Sequence, residues 1–260
     1  VAAERALRSN LSDLAAMGAE PLGYLSSIAW PAGVTQAWRD GFVDGLASAQ
    51  DRFGLALLGG DTTSGPGPFT ISLTLLGQVP SGSALLRRGA RAGDDVWVSG
   101  TIGDARLGLE ISRGALAADA VLLERYRRPS PRLELGVALR GLASACLDVS
   151  DGLIADAGHI AAVSWVRLEL QAGQIPLSPQ SRRWLQEAPG ANLVTLVTGG
   201  DDYELLFCAR QDCRASIERL GREIGLVLTR VGLVADGAGV ALLGEDGEPL
   251  ETGAGGFTHF

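Results

Sequence analysis

From Phe69 to Leu75 the sequence alternates strictly, with Phe69, Ile71, Leu73 and Leu75 on one side and Thr70, Ser72 and Thr74 on the other. A period of two sends successive side chains to opposite faces of a pleated backbone, so this segment is a strand with one buried face. Just upstream the period is different. Trp38, Phe42, Leu46, Ala49 and Phe53 recur at spacings of three and four, the stripe of an amphipathic helix over residues 36 to 53, and Gly54 is its stop. The apolar run Leu55 to Leu58 then reads as a short strand ending in a Gly59-Gly60-Asp61 turn. A chain that passes from helical to strand periodicity in so short a stretch must stack helices on a sheet.

The alternation continues downstream. Asp95 to Val98 reads as a strand leading into Gly100-Thr101-Ile102-Gly103-Asp104, and a helix follows from about Asp104. Further helices are expected near residues 119 to 127 and 131 to 143 and after Gly152, with strands at 145 to 149, 193 to 198, 203 to 208 and 226 to 234. The fold class is therefore α/β, with mixed α+β layers. Residues 80 to 94 are rich in Gly, Ser and Arg and carry neither period. They place a domain boundary that divides the chain into residues 1–90 and 91–260.

Composition narrows the function. Apolar residues make up 46% and charged residues 20% of the sequence, ordinary for a soluble globular protein. No apolar run approaches the roughly 18 residues that a bilayer span needs, so no membrane partner is expected. The net charge of −8 disfavours nucleic acid, whose phosphates require a strongly basic surface. Cys146, Cys208 and Cys213 are odd in number and lack metal-type spacing, which suits buried small residues in a reducing cytoplasm. All 22 basic residues are Arg and none is Lys. A Walker-type phosphate lysine, a protein-kinase strand lysine and a Schiff-base lysine are all excluded. His159 and His259 sit in no metal or triad spacing, and His159 reads as a partly buried structural residue.

Four acidic clusters, each read at a strand end or helix start, carry the chemistry. They are Asn10-Leu11-Ser12-Asp13, Gly59-Gly60-Asp61-Thr62-Thr63, Asp148-Val149-Ser150-Asp151-Gly152 and Gly199-Gly200-Asp201-Asp202-Tyr203. Singly, an Asp before a helix is a cap and Gly-Gly-Asp is a turn. As a set they offer hard oxygen ligands to a divalent cation, chiefly Mg²⁺, beside glycines that let backbone N–H groups approach phosphates.

In this order, and with the longer run Asn10 to Ala19, these clusters resemble those of the thiamine-monophosphate kinases. The resemblance extends to the closing Gly256-Phe257-Thr258-His259-Phe260. It implies a two-domain fold like that of aminoimidazole ribonucleotide synthetase, whose N-terminal domain pairs in a homodimer and whose active site lies in the cleft between the domains. It also implies ATP as co-substrate, thiamine monophosphate as acceptor and several Mg²⁺ ions. By position, Asp13, Asp61, Asp148 and Asp151 resemble the family's metal ligands, and Gly60, Asp61, Arg87 and Ser150 its nucleotide contacts. Asp201, or its neighbour Asp202, and Phe257 resemble the residues that hold the thiamine end. The family carries a further upstream segment with a Gly-Asp-Asp-Ala-Ala stretch that this sequence does not contain, so such a segment is expected before Val1. Arg8-Ser9-Asn10 also stands where relatives usually read Ala-Val-Asn. Two other readings stay open: another ATP-using synthetase of the same superfamily, and an inactive nucleotide-binding relative or fragment.

Overall fold

The computed structural model describes residues 1–253 and 256. The chain opens with helix α1 (Ala2–Ala16), strand β1 (Glu20–Pro31), helix α2 (Gln36–Phe53) and strands β2 (Ala56–Gly65) and β3 (Thr70–Gln78). The three strands form a sheet in the order β2-β1-β3, with β2 parallel and β3 antiparallel to β1. Helix α2 has the bounds its apolar stripe predicts. The Thr35 side chain accepts from the Trp38 N–H at its start, and Gly54 adopts a left-handed φ of 64° at its end. Ile71, Leu73 and Leu75 turn inward against Leu7, Leu11 and Leu14 of α1 and Phe42 and Leu46 of α2. The two helices thus cover the apolar face of β3.

The segment Gly59-Gly60-Asp61 is not a turn. It lies inside β2, which runs on to Gly65 with Gly60 opposite Ser26 and Asp61 opposite Ser27. A Cβ at Gly60 would stand 1.8 Å from the Ser26 carbonyl oxygen, so glycine here allows two strands to approach. The sequence alone reads such a pair as a chain reversal because glycine serves both purposes.

Residues 79 to 94 contain no helix or strand and lead to a second, six-stranded sheet. Its elements are β4 (Asp95–Ser99), α3 (Asp104–Ser112), α4 (Ala120–Arg127), α5 (Leu133–Ala138), β5 (Ala143–Asp148), α6 (Leu153–Ser164), β6 (Arg167–Gln171), α7 (Pro179–Glu187), α8 (Leu193–Val197), β7 (Leu205–Ala209), α9 (Arg214–Glu223), β8 (Leu228–Ala235) and β9 (Gly239–Leu243). The strand order is β5-β7-β4-β8-β6-β9, antiparallel except for the β6–β9 pair. Val96, Val98 and Leu206 face a core shared with Ile154 and Ile160 of α6. Trp97 and Phe207 face the other side, with Leu135, Ile217 and the end of α1 at Ala15 and Ala16. Helix α1 therefore packs on both sheets and ties the two halves together.

Two expected elements differ. Residues 193 to 198 form helix α8, capped by the Asn192 side chain accepting from the Thr195 N–H at 2.8 Å, and not a strand. The apolar run Leu193 to Val197 suits either element, and the cap decides. Helix α5 stops at Ala138, and the chain turns before β5 begins at Ala143, so the helix expected to 143 is shorter. Cys146 and Cys208 are buried and Cys213 is half-buried, while His159 is exposed and not partly buried as expected. Among the described residues no helix is long and apolar enough to cross a membrane.

Candidate active site

Strand register assembles the centre of the site. β5 and β7 pair antiparallel with Asp148 opposite Leu205, so the chain leaving β5 runs beside the chain entering β7. The pairing continues beyond the strands. The Val149 N–H donates to the Glu204 carbonyl at 2.8 Å, the Tyr203 N–H to the Val149 carbonyl at 2.8 Å and the Asp201 N–H to the Ser150 carbonyl at 2.9 Å. Two clusters some fifty residues apart in sequence are thereby zipped together. At Gly200 a Cβ would lie 2.2 Å from the Ser150 carbonyl oxygen, and Asp201 and Tyr203 hold φ values of 73° and 51°. Non-glycine residues in that region carry a cost that persists only where neighbours fix the backbone, and such residues cluster at functional sites.

The turn into α6 is held by a residue the sequence analysis did not single out. The Asp156 carboxylate accepts from the N–H groups of Ser150, Asp151 and Gly152 at 2.9, 3.0 and 3.1 Å. Burial pushes its pKa up to about 7, the Asp151 and Asp148 charges add to the rise, and the amides oppose it. An acidic residue in the first turn of a helix entered through glycine was the available signal. Asp151, Asp156 and His159 also bring one ligand atom each within 4.8 Å of one another.

Ser150, Asp151, Gly199, Gly200 and Asp201 line a cleft of about 730 Å³, together with Arg106 and Tyr126. Asp201 pairs with Arg5 of α1 at 2.7 Å and accepts from the Tyr203 hydroxyl at 3.3 Å. Asp202 points elsewhere. It is buried and accepts from the N–H groups of Gly103 and Ala105 at 2.7 and 3.2 Å, closing the start of α3. Burial pushes it up to about 8 against those amides and Arg125. Of the two adjacent aspartates, Asp201 is the one in the cleft.

A second cavity of about 200 Å³ is lined by Asp13, Arg87 and Asp148, among apolar neighbours. Asp13 lies in the last turn of α1, not at a helix start. Arg87 is brought there by backbone bonds from Leu85 N–H to the Met17 carbonyl at 3.0 Å and from Cys146 N–H to the Leu86 carbonyl at 2.9 Å. Burial pushes Asp148 up to about 6; Asp13 adds to the rise, while the nearby Ser12 hydroxyl and Arg87 oppose it. Its Ser12 neighbour falls short of a full hydrogen bond. Asp13 is itself raised, by desolvation and against the pull of Arg87. Two carboxylates lining one cavity, both raised by desolvation and one raised further by the other's charge, fit a hard divalent cation, which would offset that charge. Asp61 lines neither cavity; it stands on exposed β2, its carboxylate accepting from the Thr62 N–H at 2.9 Å. Phe257 lies outside the described residues.

The Asp148 shift has a measurable consequence. Because its folded pKa lies above the ordinary 3.8, the metal-free protein holds an extra proton between about pH 4 and pH 6. That contribution to stability is fully present below the unfolded pKa and is lost as pH rises through about 6, on the order of 3 kcal/mol. Thermal unfolding in a chelator across this range should show the loss. Asp13→Asn should shrink it and move it to lower pH, because the repelling charge is gone; an unchanged profile would separate the two carboxylates.

Comparison with known proteins identifies the chain's relatives. Residues 1–79 match the family described as AIR synthase related protein, N-terminal domain. A thiamine-monophosphate kinase of Caulobacter vibrioides is 43% identical over 258 residues, covering 97% of this chain and 73% of the relative. The crystal structure of thiamine-monophosphate kinase from Stenotrophomonas maltophilia superposes with a TM-score of 0.84 at 44% identity, over 94% of this chain and 78% of that one. A structure described as AaThiL complexed with AMPPCP and TMP superposes with a TM-score of 0.86 at 30% identity, over 100% of this chain and 80% of that one. With identity of this level sustained over nearly its whole length, the chain belongs to the thiamine-monophosphate kinase family.

Proposed function

We propose that this chain transfers the γ-phosphoryl group of ATP to the phosphate of thiamine monophosphate, giving thiamine diphosphate and ADP. The observation that carries the reading is the strand register that sets Ser150 and Asp151 beside Asp201 in one cleft, within a chain whose relatives are named for this reaction. An acceptor phosphate oxygen attacks the γ-phosphorus in line as the bond to the β,γ-bridging oxygen breaks. The acceptor is already anionic near neutral pH, so no strong base and no covalent enzyme intermediate are needed.

Asp13, Asp61, Asp148 and Asp151 would hold Mg²⁺, which supplies charge neutralisation on the transferring phosphates. Gly60, Asp61, Arg87 and Ser150 are assigned to the nucleotide. With no lysine in the chain, side-chain neutralisation of phosphate falls to arginine, and Arg87 is assigned to it, supported by backbone N–H groups. Asp201 is assigned to the cationic thiamine end together with Phe257, whose ring suits a flat heteroaromatic cation. Residues 1–90 and 91–260 are read as the two domains, and three free cysteines suit a cytoplasmic setting.

Calorimetric titration with each substrate in the presence of Mg²⁺ tests the reading. Asp201→Asn should weaken thiamine monophosphate by about tenfold, the weight of one charge-assisted contact, and leave ATP unchanged. No binding of thiamine monophosphate by the full-length unmutated protein would overturn the function.

The homodimer that the resemblance implies is read through the N-terminal sheet. The apolar face of β3 is covered by α1 and α2, whereas Leu25 and Leu76 on the opposite face, and Leu57 and Leu58 on β2, are exposed. An edge strand with exposed leucines is a surface that another chain covers. Light scattering at micromolar concentration should give twice the chain mass, and a monomer would remove the dimer from the reading.

A further inference from the structure

We infer that Arg5 is a positioning residue that holds the Asp201 carboxylate where the cationic end of the substrate meets it. This rests on the assignment of Asp201 to the thiamine moiety and deepens it. Arg5 belongs to α1, in the half of the molecule opposite the loop it contacts. One guanidinium nitrogen, Nη2, pairs with Asp201 Oδ1 at 2.7 Å, and Nη1 donates to the backbone carbonyl of Tyr126. The guanidinium lies 4.3 Å from the centroid of the Tyr126 ring. Tyr126 and Asp201 both line the large cleft, so a single planar fork, stacked on one wall, grips a carboxylate on another.

The loop needs such a grip. Asp201 carries a φ of 73°, a conformation held here by the Ser150 carbonyl, the Tyr203 hydroxyl and Arg5. The Arg5 and Asp201 side chains are 24% and 31% exposed, so the pair is partly withdrawn from solvent and is screened less than a surface pair. A carboxylate offers about four lone-pair sites, which leaves room for a ligand donor after Arg5 and Tyr203 are served. Asp13 stands eight residues further along the same helix, about 12 Å at the helical rise. A rigid rod therefore joins the carboxylate assigned to metal with the clamp on the substrate loop.

Arg5 has an opposing effect, since its own positive charge repels a thiazolium ring. The two effects predict opposite signs, and the measurement separates them. Four variants of the full-length enzyme are compared: Arg5→Gln, Arg5→Lys, Asp201→Asn and the Gln/Asn double substitution. The readouts are KM for each substrate, calorimetric affinity for thiamine monophosphate, and melting temperature. Arg5→Gln should raise KM and Kd for thiamine monophosphate about tenfold, the size of one charge-assisted contact, with KM for ATP within about twofold. Arg5→Lys should recover only part of the loss, since an ammonium keeps the charge without the fork or the ring contact, and Arg5→Gln should add little once Asp201 is already Asn. Unchanged or tighter thiamine monophosphate binding in Arg5→Gln overturns the inference, as does an equal shift for both substrates or a full effect in the Asn background. If Asp201→Asn itself leaves thiamine monophosphate binding intact, the assignment of Asp201 fails and the inference falls with it. A weakened Asp201→Asn beside an unaffected Arg5→Gln overturns the inference alone.

Discussion

Replacing Asp151 by Asn is expected to lower phosphoryl transfer by about a hundredfold or more, the scale on which transition-state charge stabilisation is lost. The melting temperature should move by less than about 2 °C, because the substitution is isosteric and touches no core packing. Two roles compete for this carboxylate: a ligand for Mg²⁺, or a cap for the helix that follows. The geometry separates them. The N-cap of α6 is Gly152, with no side-chain cap bond of its own, and the N–H groups of the turn are satisfied by Asp156. Asp151 contributes its backbone N–H to that arrangement, which Asn retains, while its side chain lines the cleft. Kinetics at saturating Mg²⁺ alongside calorimetric melting would settle the matter. A melting temperature that falls together with activity would return Asp151 to a structural role, and unchanged activity would remove it from the metal set.

Local periodicity made much of the fold legible. The α2 stripe, the alternation of β3, and the strands β4, β5, β7 and β8 were all signalled by residues within a few positions of one another. Tertiary context decided the remainder. Gly59-Gly60 reads as a turn until Ser26 is placed against it, and Leu193 to Val197 reads as a strand until Asn192 caps it. The site divides in the same way. Gly-Asp clusters are visible in sequence, but only the β5–β7 register brings Ser150, Asp151 and Asp201 to one cleft, and only the path of residues 85 to 87 brings Arg87 to Asp13 and Asp148. Asp61, on the exposed strand β2, shares neither cavity. Arg5 had no distinguishing sequence context, since a helical Arg is commonplace, and Asp156 carried only the weak signal of an acidic residue in the first turn of a helix entered through glycine.

Within the single run Gly199 to Glu204, three carboxylates have three different fates, and the last of them carries the largest expected effect on stability. Asp201 faces the cleft and Asp202 closes a helix, whereas Glu204 is wholly buried as the centre of a charged network. Arg125 Nη2 and Arg132 Nε each donate to it at 2.6 Å, and the Ser99 hydroxyl donates at 2.6 Å while accepting from the Leu205 N–H at 2.9 Å. Glu204→Gln removes the one full negative charge that both arginines contact directly; for Arg125 the next carboxylate, Asp104, stands 4.0 Å away. Leaving a buried ion pair half complete costs about 3–5 kcal/mol, more than the pair adds over an apolar substitute, because the remaining charge is stranded away from water. Glu204→Gln should therefore lower the melting temperature by about 10 °C, at roughly 2–4 °C per kcal/mol for a chain of this size. Denaturant titration should show a matching fall in midpoint with an unchanged slope, since the surface exposed on unfolding is the same. The folded fraction should keep its affinity for ATP, because Glu204 lines neither cavity. A loss under about 1 kcal/mol would mean that the two arginines behave as solvated surface charges, and the network would then hold nothing in place behind the substrate loop.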